Sequence, residues 1–138
     1  MAAATLRARE RLLRLLERGS TRAVSRAGRM AVDAAVRAQR AGSGLPDDDL
    51  AWLTVLLIHP PVRDYAWDSV GGDLGTHVGL WTEVTRRAEP GLVVVPAALL
   101  SYAAWCAGEG AVAAIALSRP LALDPDDPMV ALMSRVLT

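Results

Sequence analysis

Lysine and phenylalanine are absent from this chain of 138 residues, and cysteine occurs once. Without Lys, all fifteen basic residues are Arg. That bias reads first as GC-rich coding and only second as chemistry that needs guanidinium groups. Without Phe, the bulk of any core must come from Leu, Val and the four tryptophans. A single Cys106 excludes an internal disulfide and a cysteine metal cluster, and its apolar helical setting predicts an inert thiol. A reducing, cytoplasmic location fits it. No run approaches 18 apolar residues, so no membrane contact is expected. No apolar stretch follows the first charges, so no signal peptide is expected either.

Apolar residues make up 52% of the chain, enough for one globular domain over residues 1–138. Its zero net charge hides a split. Residues 1–40 hold ten Arg against Glu10, Glu17 and Asp33, a net +7. Residues 41–138 hold five Arg against twelve acids, a net −7. Two such halves attract within one molecule or between copies, and a basic half also suits an anionic partner. The chain divides into an Arg-rich helix pair, 1–40, and a helical core, 45–138.

The periodicity predicts helices throughout. From Ala2 to Arg18, Leu12, Leu13, Leu15 and Leu16 form an apolar arc, with Arg9 intruding, and Arg7, Arg11, Arg14 and Arg18 a stripe opposite. Gly19 and Ser20 read as a stop and a cap. From Thr21 to Arg40, Ala23, Ala27, Met30, Ala31, Ala34 and Ala38 share a small-residue face expected to be a packing seam. Arg22, Arg26, Arg29, Arg37 and Arg40 lie opposite. Asp47-Asp48-Asp49 is expected to cap an almost wholly apolar, central helix, Leu50 to Ile58, stopped by His59-Pro60-Pro61. A short helix, Val62 to Val70, ends at Gly71-Gly72-Asp73, read as a plain linker. Another runs from Thr76 to Ala88. Leu92 to Val95 reads as an extended loop before a helix from Pro96 to Ala107. Ala111 to Leu123 is helical despite Pro120, and Asp124–Pro128 precedes a last helix, Met129 to Leu137. The fold class is therefore all-α, a bundle or short solenoid of about eight helices. Its expected core includes Trp52, Leu53, Leu56, Leu57, Trp81, Leu99, Leu100, Trp105 and Leu117.

Two resemblances bear on this. Ala107-Gly108-Glu109-Gly110, Ala113, Leu117, Leu121 and Asp124-Pro125 resemble a tetratricopeptide-type hairpin, with Pro120 as a departure. One such unit implies a hairpin, not a peptide-binding array. A wider set of stretches, in order, resembles the uncharacterised actinobacterial family called domain of unknown function 4192. These are Leu45-Pro46-Asp47 into Leu53–Leu57, Pro61–Trp67, Leu80–Ala88, Pro96–Leu100 through Ala104-Trp105, and Gly108–Pro125. The resemblance runs from about Leu12 to Leu137. It implies that the chain matches the C-terminal helical part of longer members, with a helical fold and no established activity.

Catalytic and cofactor signals are missing. His59 and His77 lack partners at metal-ligand spacing, and His59 is expected to bond helix-end carbonyls. The acidic clusters lack a calcium-loop pattern. Gly71–Gly75 lacks the features of a phosphate loop. No catalytic residue, cofactor or metal is expected, and the chain reads as a non-enzyme. Arg63 and Trp67, four apart beside Asp64 and Asp68, are the most site-like cluster. Partner recognition is one reading, and an inter-helix salt bridge is the preferred one. Arg22, Arg26 and Arg29 are the candidates for holding nucleic-acid phosphates, although no aromatic interleaves them. The leading expectation is a protein–protein interaction or scaffold module. Its partner is another protein or a second copy, with self-association favoured through the first helix. A nucleic-acid-associated protein is the alternative.

Overall fold

A computed structural model describes residues 1–138 and contains eight α-helices and no strand. They are α1 (Ala2–Arg18), α2 (Thr21–Arg40), α3 (Asp47–Leu56), α4 (Pro60–Asp68), α5 (Leu74–Arg87), α6 (Val94–Cys106), α7 (Gly110–Leu123) and α8 (Pro128–Leu137). A 3-10 turn, Pro90–Leu92, leads into α6. The architecture is an all-α bundle.

α3 is the central helix, with every residue from Leu50 to Leu56 buried, as its almost wholly apolar run predicts. α1 and α2 pack against it. α6 packs against α5, α7, α8 and α4. One apolar cluster connects Ala4 of α1 to Met133 of α8. Between α6 and α7, Gly108 takes the left-handed φ of +78° that closes the turn. Ser101 Oγ donates to the Ala113 carbonyl across the two helices at 2.8 Å.

Several local expectations are corrected. Leu92–Val95 is not extended: Leu92 closes the 3-10 turn and α6 begins at Val94. Pro96 sits in the first turn of α6, where its missing N–H costs no helix bond. Asp47–Asp49 make no cap hydrogen bond, because Pro46 holds the cap position and the three lie in the first turn; Asp48 pairs with Arg7 at 2.7 Å and Asp47 with Arg87 at 2.6 Å. Ser20 likewise caps nothing with its side chain. Asp73, read as linker, is instead the α5 cap: its carboxylate accepts from the Thr76 N–H and hydroxyl. Those two bonds hold its pKa below the ordinary value.

Trp105 also departs from expectation. Trp105 is 46% exposed, its ring offset from Tyr102 with centroids 6.4 Å and planes 26° apart. In its turn of α6 the buried residues are Ala103 and Ala104, and the larger Leu99 and Leu100 are buried one turn earlier. The full core penalty therefore does not apply to it. Trp105→Ala should cost about 1 kcal/mol, the scale of one aromatic contact. Chemical denaturation followed by circular dichroism checks this, and a loss above about 3 kcal/mol would contradict the exposed placement.

Candidate interaction surfaces

The surface of α1 follows from how closely it approaches α3. Ala4, Thr5 and Ala8 are its buried residues, and Leu12 and Leu15 are half-buried. Two alanines let the backbones come near, so the helix turns its small side inward. That rotation divides the expected Leu arc. Leu13 stays 60% exposed and Leu16 45%, and Leu6 joins them at 60%. The Arg stripe is correspondingly not fully opposite the core. Arg7 reaches Asp48, and the Arg11 guanidinium lies 4.1 Å from the Trp52 ring centroid as a cation–π contact.

Leu6, Arg9, Leu13 and Leu16 are spaced three, four and three apart, the a and d positions of a heptad. Glu10 and Glu17 then fall at the flanking e positions. Arg9, Glu10 and Glu17 form no ion pair within the chain. The outer face of α1 is thus an apolar ridge carrying both signs of unpaired charge.

On α2 the packing seam is displaced from its expected face. Val24, Gly28, Val32 and Ala35 are buried, while Met30 and Ala34 are exposed and Ala27, Ala31 and Ala38 half-buried. The close contact is at Gly28, where the Val62 side chain of α4 occupies the place of a Cβ. The alanine face lines a hollow of about 620 Å³ with Arg11, Leu45, Asp49 and Trp52. Arg22, Arg26 and Arg29 project from the remaining side, exposed and without ion pairs.

Arg63 and Trp67 do not pair with each other, and the expected inter-helix salt bridge is absent. Arg63 turns to its neighbour Asp64 at 3.6 Å. Trp67 stacks face to face on Tyr102 of α6, with centroids 3.9 Å apart and planes 10° apart. One ring face is therefore taken by the core side. Both residues still line a hollow of about 350 Å³ with Asp68, Pro128, Met129 and Leu132. The signal missed in sequence was Tyr102, 35 positions away in a different helix.

The histidines separate. His59 immediately precedes α4, and its Nε2 lies 3.4 Å from Ser25 Oγ rather than on helix-end carbonyls. His77 is buried in α5, and its Nδ1 has no partner. Burial first, then the Arg40 charge, pushes its pKa below the ordinary value, so it is neutral at pH 7. No three His, Cys, Asp or Glu side chains gather where they could hold a metal ion. No helix is long and apolar enough to cross a membrane.

Fold and surfaces together define an all-α helical-bundle protein whose distinguishing features lie on its surface. The chain belongs to the family described as Domain of unknown function (DUF4192), whose sequence model matches residues 1–138. Among curated proteins and among solved structures, nothing matches it.

Proposed function

We propose that this chain is a non-enzymatic helical interaction module whose partner is a second copy, paired through α1. One observation carries this reading: the exposed Leu6–Leu13–Leu16 ridge with unpaired Arg9, Glu10 and Glu17 beside it. In an antiparallel pair about a two-fold axis, Leu6 meets the partner's Leu16 and Arg9 crosses the partner's Leu13. There Arg9 is flanked by Glu10 and Glu17 of the partner subunit, one turn to either side. A two-fold axis makes each of these contacts twice. A polar residue at one a or d position also fixes register, which is the part assigned to Arg9.

This pairing differs from a basic half meeting an acidic half. Asp47 and Asp48 are already engaged by Arg87 and Arg7 of the same chain. The module is assigned to a reducing compartment such as the cytoplasm, where Cys106 stays a thiol.

Light scattering across micromolar concentrations tests the reading. The chain should be a dimer, and Leu13→Glu should weaken it at least about a hundredfold while leaving the circular dichroism unchanged. Leu13 is exposed, so the variant does not open the core. A wild-type monomer throughout that range would overturn the proposal. Removing residues 1–18 is a poorer test, since Ala4 and Ala8 belong to the core.

The alternative, a nucleic-acid-associated protein, is favoured by one observation: Arg22, Arg26 and Arg29 are exposed and unpaired along α2. Binding of duplex and single-stranded nucleic acid, titrated against salt, separates the two. A steep salt slope lost in an R22Q/R26Q/R29Q variant would favour the alternative.

A further inference from the structure

One concavity is almost wholly polar, with Val36 as its single apolar lining residue. It has a volume of about 310 Å³ and lies between the end of α2, the loop after α4 and the first turn of α5. Asp33, Val36, Arg37, Arg40, Ser69, Gly71 and His77 line it. Arg37 and Arg40 are three apart on α2, so both project from one side of the helix. Neither has an ion-pair partner. His77 is only 3% exposed, and its Nδ1 is wholly buried without a hydrogen-bond partner. Gly71 has no acceptor within the chain for its backbone N–H. Asp33 accepts from the Tyr65 hydroxyl through Oδ1 at 2.7 Å, which leaves Oδ2 free.

Arg37, Arg40 and Gly71 are exposed to water and have no acceptor within the chain. They offer two guanidinium groups and a backbone N–H as donors, and guanidinium pairs match phosphate geometry. A buried imidazole nitrogen without a partner is rare in a settled core and gains from a hydrogen-bonded ligand. The free Asp33 oxygen adds a condition, because a bare anion would face a carboxylate. An oxyanion that carries a hydroxyl satisfies both, placing its charge on Arg37 and Arg40 and donating the hydroxyl to Asp33.

We propose that this hollow binds a small phosphate oxyanion bearing a hydroxyl group, held by Arg37 and Arg40, with His77 at its floor and Asp33 accepting the hydroxyl. The site lies away from the α1 ridge and does not depend on the pairing of copies.

The test uses inorganic phosphate, whose own P–OH supplies the hydroxyl, with sulfate as a comparison that has none at the same pH. The two imidazoles are followed by NMR as pH is varied, with His59→Gln assigning the signals. Chloride at matched ionic strength is the reference. Bound negative charge favours the imidazolium, so saturating phosphate should raise the His77 midpoint by about half a pH unit or more, leaving His59 unmoved. Sulfate should bind about tenfold more weakly or worse, lacking the bond to Asp33. Arg40→Gln has two opposite signatures. Without phosphate it raises the His77 midpoint by removing a repelling cation, and with phosphate it erases the response. Arg40 is exposed, so the fold is kept. A His77 midpoint indifferent to phosphate, or moved equally by chloride, would overturn the site. Equal binding of sulfate would overturn the hydroxyl requirement and the role given to Asp33.

Discussion

Trp81→Ala will destabilise the fold by about 3–5 kcal/mol, the range for removing a large aromatic side chain from a packed interior. Trp81 is fully buried on α5, and it is the largest of the wholly buried side chains. In a chain without Phe, no other ring stands ready to fill the space it leaves. Leu80 and Val84 pack beside it within one turn, so the cavity would open where α5 meets the rest of the core. One feature works in the opposite direction: the Trp81 indole N–H is buried without an acceptor. Trp81→Phe removes that N–H and part of the volume together. It should therefore cost clearly less than the alanine variant, about 1–2 kcal/mol. Urea denaturation monitored by circular dichroism reads both. A loss below about 1 kcal/mol for Trp81→Ala would mean that α5 does not pack as described.

Gly28→Ala is expected to destabilise by about 2–3 kcal/mol even though Ala is the better helix former by about 1 kcal/mol. A Cβ at this position would sit 2.1 Å and 2.6 Å from the two Val62 methyl carbons and 2.9 Å from the Val62 Cβ. Rotating Val62 about χ1 relieves neither contact, since all three carbons of the branch are near. α2 and α4 must separate instead, and that strains a seam closed by Val24, Val32 and Ala66. Adding Val62→Ala to Gly28→Ala should recover part of the loss, because it removes the clashing methyls. The double variant should be more stable than the sum of the two single effects, the sign of direct contact. A stabilised Gly28→Ala would show that propensity, not packing, governs the site.

The fold was legible where one signal dominated. Leu50 to Leu57 is apolar on nearly every side, with Thr54 the one exception, and such a segment suits a central helix. Asp127, in the turn that precedes the last helix, caps α8 by accepting from the Met129 and Val130 N–H groups. Rotation about a helix axis was less legible, because size competes with hydrophobicity. α1 has more Leu than Ala on its apolar side, yet Ala4 and Ala8 face α3, since small residues allow the nearest backbone approach. α2 shows the same competition in reverse. Its alanine face was the apparent seam, but Val24 and Val32 bury more area, and Gly28 admits Val62. At Leu92–Val95, β-branched propensity was overruled by the prolines at 90 and 96, each well suited to a helical first turn.

The surfaces followed the same rule. Leu13 and Leu16 were visible as part of an arc, and Leu6, seven residues before Leu13, was the unused clue that the arc continues outward. The Arg37, Arg40 and His77 hollow had no local signature at all. Its members stand 37 to 40 positions apart across the chain, except for the two arginines, and only the packing of α5 on α2 brings them together. Trp67 and Tyr102 are a similar case, joined by the contact of α4 with α6.

Pairing through α1 is the central claim, and complementary charge reversal tests it most directly. Arg9→Glu leaves a ridge flanked only by acids, and Glu10→Arg with Glu17→Arg leaves one flanked only by bases. Each variant should be monomeric alone, because like charges then meet across the two-fold axis. Mixed in equal amounts, the two should form a one-to-one heterodimer of the wild-type dimer's mass, measured by light scattering at micromolar concentration. Dimers in the separate variants, or monomers in the mixture, would contradict the account.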